Sequence, residues 1–210
     1  MTFILFVYRV ACKASIMNPY DSHFIQKSLS ILKGKGVTDV DAALITGTGL
    51  GGFEQHFDEL WAKIPYSDLP AFSTTTVEGH EGNLYFGRIG ERKVAVMSGR
   101  FHYYEGYSME DITRPVRVLI RLGVRDLFVS NVTGSTRSDL NIGDLVLISD
   151  HINFLPESPL RGPNADEFGP RFPDFSKVYD EELRQLALET GREMGMKLKQ
   201  GVYFCMAGPN

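Results

Sequence analysis

Three short apolar runs each lead straight into a polar, glycine-bearing segment, and that repeated juncture constrains the fold more than any other feature. Ala42–Ile45 is followed by Gly47-Thr48-Gly49-Leu50-Gly51-Gly52, Val94–Met97 by Ser98-Gly99-Arg100-Phe101-His102, and Leu127–Val129 by Ser130-Asn131-Val132-Thr133-Gly134-Ser135. Apolar runs without polar alternation read as strands buried on both faces. Helical stretches lie between them. Ser108 caps one that runs to Leu122, with Glu110 and Asp111 in its first turn and Gly123 closing it. Asp180 opens another carrying Leu183, Leu186, Ala187 and Met194, and Asp21 or Ser22 opens a third with Phe24, Ile25, Leu29 and Leu32. Leu84–Ile89 and Lys93–Met97 pair across a turn at Gly90, a short helix falls near Phe53–Phe57, and Leu145–Ile148 and Val202–Met206 add strands. Strand and helix in alternation predict an α/β chain with a central, mostly buried sheet covered by helices. Its 210 residues suffice for a single such domain, and nothing marks a second.

Charge and cysteine usage exclude several classes of partner. A formal charge of −4 gives no basic surface for nucleic acid or for an anionic membrane. Phe3–Val10 is apolar but interrupted by Arg9 and too short to span a bilayer. Cys12 and Cys205 show neither CxxC nor Cys/His spacing, so no disulfide framework and no zinc site is expected, and a reducing, cytoplasmic location fits. Residues 1–16 are expected to be a non-native or disordered upstream extension. Met17-Asn18-Pro19 reads as the natural start, and residues 17–210 as the domain.

One connection departs from the alternation. Between Phe154 and Ser176 stand five prolines, at 156, 159, 163, 170 and 173, together with Phe168, Phe172 and Phe175. Long irregular segments of this kind are often lids or interfaces. Three phenylalanines argue against full exposure, so the segment is expected to cover a site or to form an interface.

The chemistry gathers where the strands end. Ser98 to Gly106 places a guanidinium, an imidazole, two phenols and a carboxylate between two glycines. Arg100 and His102 share a face if the chain stays extended, which suits capture of a compact oxyanion beside aromatic walls. The glycine-rich turn 47–52 can direct backbone N–H groups at an anion. It also satisfies GxGxxG, but a dinucleotide site needs an acidic residue about 20 positions on, ending the second strand. Asp68 has that distance and sits in a turn, Tyr66-Ser67-Asp68-Leu69-Pro70. His80, in Glu78-Gly79-His80-Glu81-Gly82, reads by itself as a structural or surface histidine.

Taken together and in order, these segments resemble the trimeric purine nucleoside phosphorylases. The resemblance is carried by GTGLGG (47–52), EGHEG (78–82), GRFHYYEGY (99–107), SNVTGS (130–135), GDLVLISDHIN (143–153), LRGPN (160–164), FGPRFPD (168–174) and VYFCMAGPN (202–210). It implies a single twisted, mixed sheet flanked by helices, and a homotrimer with sites at subunit junctions. The implied activity is phosphorolysis of purine (deoxy)ribonucleosides to free base and (deoxy)ribose 1-phosphate. Inorganic phosphate is then a co-substrate, with no cofactor, no metal and no side-chain nucleophile. By the same resemblance Thr48, His80, Arg100, Phe101, His102 and the amide of Val132 bind phosphate. Tyr104 and Tyr203 stand beside the ribose, and Phe168 covers the ribose site of the neighbouring subunit. Methylthioadenosine phosphorylases are a more distant match, because their Arg-His segment lacks the Tyr-Glu-Gly continuation.

Two departures from the pattern bear on function. Val132-Thr133-Gly134-Ser135 stands where the family commonly has Ala-Ala-Gly-Gly, adding side-chain bulk beside the phosphate. The chain also stops at Asn210, ahead of the segments that read the purine in the family. A catalytically incomplete phosphate- or nucleotide-binding pseudoenzyme is therefore the alternative expectation, and a nicotinamide-cofactor oxidoreductase a third.

Overall fold

A computed structural model of the chain describes residues 1–10, 23–47, 49–73, 82–166 and 168–207. Among these, eight strands form one mixed sheet. They are β1 (Thr2–Arg9), β2 (Ala42–Thr46), β3 (Glu59–Pro65), β4 (Asn83–Ile89), β5 (Arg92–Ser98), β6 (Asp126–Thr133), β7 (Leu145–Asn153) and β8 (Lys199–Cys205). Their order across the sheet is β3-β4-β5-β2-β6-β1-β7-β8. Three helices accompany it: α1 (His23–Gly34), α2 (Met109–Arg121) and α3 (Glu181–Glu193).

The centre of the sheet is built as the apolar runs require. β2 lies between β5 and β6 and is parallel to both, with Ile45 level with Met97 and with Val129. Side chains then alternate between two buried faces. On one face Ala43, Ile45, Ala95, Met97 and Leu127 join Ile25 and Leu32 of α1 and Val118 and Leu119 of α2 in the main core. On the other, Val7 and Leu147 meet Leu183 of α3, with Leu5, Phe128 and Ala187 packed around them. The second face also borders an apolar cavity of about 360 Å³ lined by Leu5, Ala42, Leu44, Phe53, Val94 and Phe128.

Helix starts follow the capping residues read from the sequence. The Ser108 hydroxyl accepts from the Asp111 N–H at 3.1 Å, and the Asp180 carboxylate from the Leu183 N–H at 2.9 Å. Each satisfies an N–H that has no partner inside its helix. The caps expected at Asp21 or Ser22 lie outside the described residues. Along α3 the buried positions are Leu183 and Gly191, whereas Leu186 and Met194 face outward.

Three expectations need correction or completion. Residues 2–9 of the supposed extension are ordered: they form β1, antiparallel to β6 from Thr2↔Thr133 to Arg9↔Asp126 and parallel to β7 from Phe3 to Leu5. Ile4, Phe6 and Val7 are buried. An apolar octet with strand propensity finds two unpaired strand edges there, which local reading of the sequence cannot reveal. Strand β3 was not expected, because its alternation is too polar to register; it is an edge strand bearing Glu59 and Lys63 and ending at Pro65, residues that suit an unpaired edge. In the proline-rich connection Phe172 and Phe175 are exposed within the single chain, so they cover no site of their own chain. No described helix is long and apolar enough to cross a membrane.

Candidate active site

Parallel strands β5, β2 and β6 end side by side, and the segments after them share one rim, the usual place for a ligand in an open α/β sheet. After β5 the backbone turns at Gly99, whose φ of +96° is one that side-chain-bearing residues rarely adopt. The buried Tyr66 hydroxyl fastens this turn by donating to the Gly99 carbonyl at 2.8 Å. Phe101 then plunges into the core, 3% exposed, with its ring 5.5 Å from that of Tyr66 and 5.8 Å from that of Tyr107. His102 continues extended, with φ −121° and ψ 148°. Period-two alternation therefore turns Arg100 and His102 away from the core. Phe101 was expected among the phosphate-binding residues. Its side chain is instead an anchor, leaving only its backbone available to a ligand.

Arg100 is held from two directions. One guanidinium nitrogen donates to the Ser130 carbonyl in β6. The same nitrogen lies only 2.7 Å from where a β-carbon on Gly47 would stand, so any side chain there would force the guanidinium to move. Burial lowers the guanidinium pKa from its ordinary value, and the nearby phenols of Tyr203 and Tyr104 oppose that. An arginine so placed stays charged at neutral pH.

Register determines where the Val132 amide points. The Phe3 N–H is spent on the Asp144 carbonyl beside β7, and Val10 donates to the Arg125 carbonyl across β6. Even-numbered residues of β1 therefore bond to β6 and odd-numbered ones do not, as antiparallel pairing demands. Val132 faces Phe3 and Ser130 faces Leu5, so both turn their backbone groups toward β2. The bond from Arg100 to the Ser130 carbonyl agrees with this. Two residues on, the Val132 N–H is directed to the same side, past the end of β2.

His102 has an orienter. The Glu105 carboxylate accepts from the His102 N–H at 2.9 Å and lies 2.6 Å from its Nδ1, and the carboxylate side chain is only 4% exposed. The carboxylate thereby fixes the orientation of the imidazole. The Tyr104 ring stacks on the imidazole at a centroid distance of 4.8 Å and an interplanar angle of 19°. Replacing Glu105 with glutamine keeps the shape but removes the charge behind the imidazole. We expect that variant to bind inorganic phosphate several-fold more weakly, measured by isothermal titration, with an unchanged far-ultraviolet circular dichroism spectrum.

From β8, Tyr203 brings its hydroxyl within 3.5 Å of the Asn131 Nδ2, and its ring packs edge-on against Phe6 at 5.3 Å. Burial raises the Tyr203 pKa, so the phenol is a neutral donor and acceptor at physiological pH. Arg100, His102 and Tyr104 thus follow β5, the Val132 amide belongs to β6 and Tyr203 to β8, so three strands supply these groups. Thr48 and His80 lie outside the described residues. Phe168 is set against α2, with the Arg117 guanidinium 5.6 Å from its ring centroid.

Glu105, Tyr66 and Asn131 were not recognised from the sequence as parts of this arrangement. Glu105 was discoverable, since a carboxylate three residues after a helix-capping position is a capping-box spacing. Tyr66 and Asn131 act through long-range contacts and leave no local signal. Among the described residues no group of three or more His, Cys, Asp or Glu side chains is placed to hold a metal ion. A second cavity, about 190 Å³ near Val37, Asp39 and Trp61, lies at the other ends of the parallel strands.

An α/β sheet presenting an arginine, an oriented histidine and phenols at its strand ends matches one class of protein: residues 41–210 fit the family model of the phosphorylase superfamily. The chain is 45% identical over 185 residues to purine nucleoside phosphorylase 1 of Geobacillus stearothermophilus, covering 88% of this chain and 67% of that one. It is 47% identical over 174 residues to the mouse purine nucleoside phosphorylase, covering 80% of this chain and 60% of that one. The crystal structure of isoform 2 of the Schistosoma mansoni purine nucleoside phosphorylase, in complex with cytosine and ribose-1-phosphate, superposes with a TM-score of 0.80 at 41% identity. That comparison covers 94% of this chain and 70% of the other. The chain therefore belongs to the purine nucleoside phosphorylases, pentosyltransferases of nucleoside metabolism. It spans about two thirds of the length of these relatives, and three fifths in the mouse case.

Proposed function

We propose that this chain binds inorganic phosphate and a purine (deoxy)ribonucleoside at the rim of β2, β5 and β6, and that the phosphate attacks C1′ of the sugar. The new C1′–O bond forms as the C1′–N9 bond breaks, and the electron pair of the broken bond leaves with the purine, which takes up a proton. The sugar carries positive charge in the transition state, so a fixed dianion on one face both attacks and stabilises it. Arg100 and His102 supply the opposing charge and directional donors for that dianion, and the Val132 N–H adds a backbone donor. Tyr104 and Tyr203, both phenols, stand where sugar hydroxyls need partners. Thr48 and His80 belong to the same proposed phosphate site by family resemblance, and Phe168 to the ribose site of a neighbouring subunit in a homotrimer. The reading requires no cofactor or metal, and a cytoplasmic location is proposed with it.

One observation carries this reading: Arg100 donates to the Ser130 carbonyl and lies close beside Gly47, on the side of β6 to which the Val132 amide turns. Fixing an anion so rigidly contributes to rate by placement, worth up to roughly 7–11 kcal/mol in well-oriented reactions. The direct test is incubation of the chain with inosine, with and without phosphate. Phosphate-dependent release of hypoxanthine and ribose 1-phosphate supports the proposal. Phosphate binding without any release reduces the chain to a binding protein, and absence of both sinks the reading.

A further inference from the structure

We propose that β1 positions the anion-binding end of the site, with Phe3 as the positioning residue; this rests on the phosphorolytic reading above. β1 lies outside residues 41–210, the stretch that fits the family model, yet it occupies the interior of the sheet. It is the bridge between two sub-sheets, because β6 and β7 each pair with it and not with one another. Its first residues reach the functional rim. Phe3 stands opposite Val132 and Ile4 opposite Asn131, while the Phe3 N–H is tied to the Asp144 carbonyl.

Two consequences follow from that placement. The alternation imposed by β1 turns the Val132 N–H toward the end of β2, where an anion held by Arg100 would meet it. On the far side of the same residue, the Phe3 ring presses on the glycine-rich turn. A β-carbon on Gly49 would stand 2.8 Å from the Phe3 Cε1, so the ring and the turn are in contact. Gly49 itself has a φ of +89°, a conformation that needs an external support to be the only one populated. Phe3 thus braces two backbone segments, one on each of two strand ends, that face the same ligand. Further along the strand, Val7 is fully buried among Leu147 and Leu183 and touches neither segment. It is a matched control for loss of packing in β1 without loss of the brace.

The test compares Phe3→Ala, Phe3→Leu and Val7→Ala in the full chain. It uses inorganic phosphate as the titrant and ¹⁵N-labelled protein to follow the amide signals of Gly49 and Val132. We expect Phe3→Ala to shift both amides, raise the phosphate concentration for half-saturation about tenfold and leave kcat at saturating phosphate little changed. Phe3→Leu should restore most of the affinity. Val7→Ala should lower the unfolding midpoint while leaving phosphate affinity and both amides unmoved. If Phe3→Ala and Val7→Ala give the same amide positions and the same phosphate affinity, β1 is only packing and the inference falls. A complete lack of response to phosphate by the unsubstituted protein refutes the phosphorolytic reading instead. The amide shifts then decide the brace alone: a shift confined to Phe3→Ala upholds it, and none overturns it.

Discussion

Arg100→Ala should raise the phosphate requirement for turnover of inosine more than any other single substitution. Hydrogen bonds involving a charged group contribute about 1.5–3 kcal/mol, so the half-saturating phosphate concentration should rise about ten- to hundredfold. The side chain also satisfies the carbonyl of Ser130, a residue that is otherwise buried, so its removal leaves an acceptor without that donor. Lysine at this position retains the charge but not the planar fork, and should recover only part of the loss. The measurement is the initial rate of hypoxanthine release against phosphate concentration, paired with the phosphate-induced rise in unfolding temperature. A phosphate dependence equal to that of the unsubstituted chain would falsify the assignment of Arg100.

The second large effect is expected at Phe101, and it links stability to the site. Its ring is buried between Tyr66 and Tyr107, so truncation to alanine removes a large core side chain at a cost of about 3–5 kcal/mol. In a chain of this length that corresponds to a fall in unfolding temperature of roughly 10 °C. The same residue keeps Arg100 and His102 facing outward, and Tyr66 fastens the preceding Gly99 carbonyl. Phosphate affinity should therefore fall along with stability, whereas Val118→Ala, deep in α2, should cost stability alone. Urea unfolding and phosphate titration of both variants separate the cases. An unfolding midpoint that does not move on truncation of Phe101 would contradict its placement in the core.

Much of the sheet was legible before any coordinates. The parallel strands β2, β5 and β6 are continuous apolar runs, and each announces its end with glycine or small polar residues. The caps Ser108 and Asp180 mark where α2 and α3 begin. Phe101, between Arg100 and His102, enters the core. β3 escaped notice because an edge strand carries charges that mask its alternation. The eight-residue β1 was read as an extension because its local sequence does not distinguish a core strand from an apolar leader.

By itself the sequence determined the chemistry on offer: an arginine and a histidine two positions apart, glycine where the backbone must turn, phenols close at hand, and apolar runs long enough to be buried strands. Only the tertiary structure decided which of these meet. The order β5-β2-β6-β1-β7-β8 brings Gly47, Arg100, Ser130, Asn131 and Tyr203 to one rim from positions as many as 156 residues apart. It also pairs Phe3 with Val132, and seats the Glu105 carboxylate behind the imidazole of His102. The physical reason is that strand pairing is a long-range choice, set by which apolar edges find each other on collapse, whereas propensity, capping and turn geometry act over only a few residues.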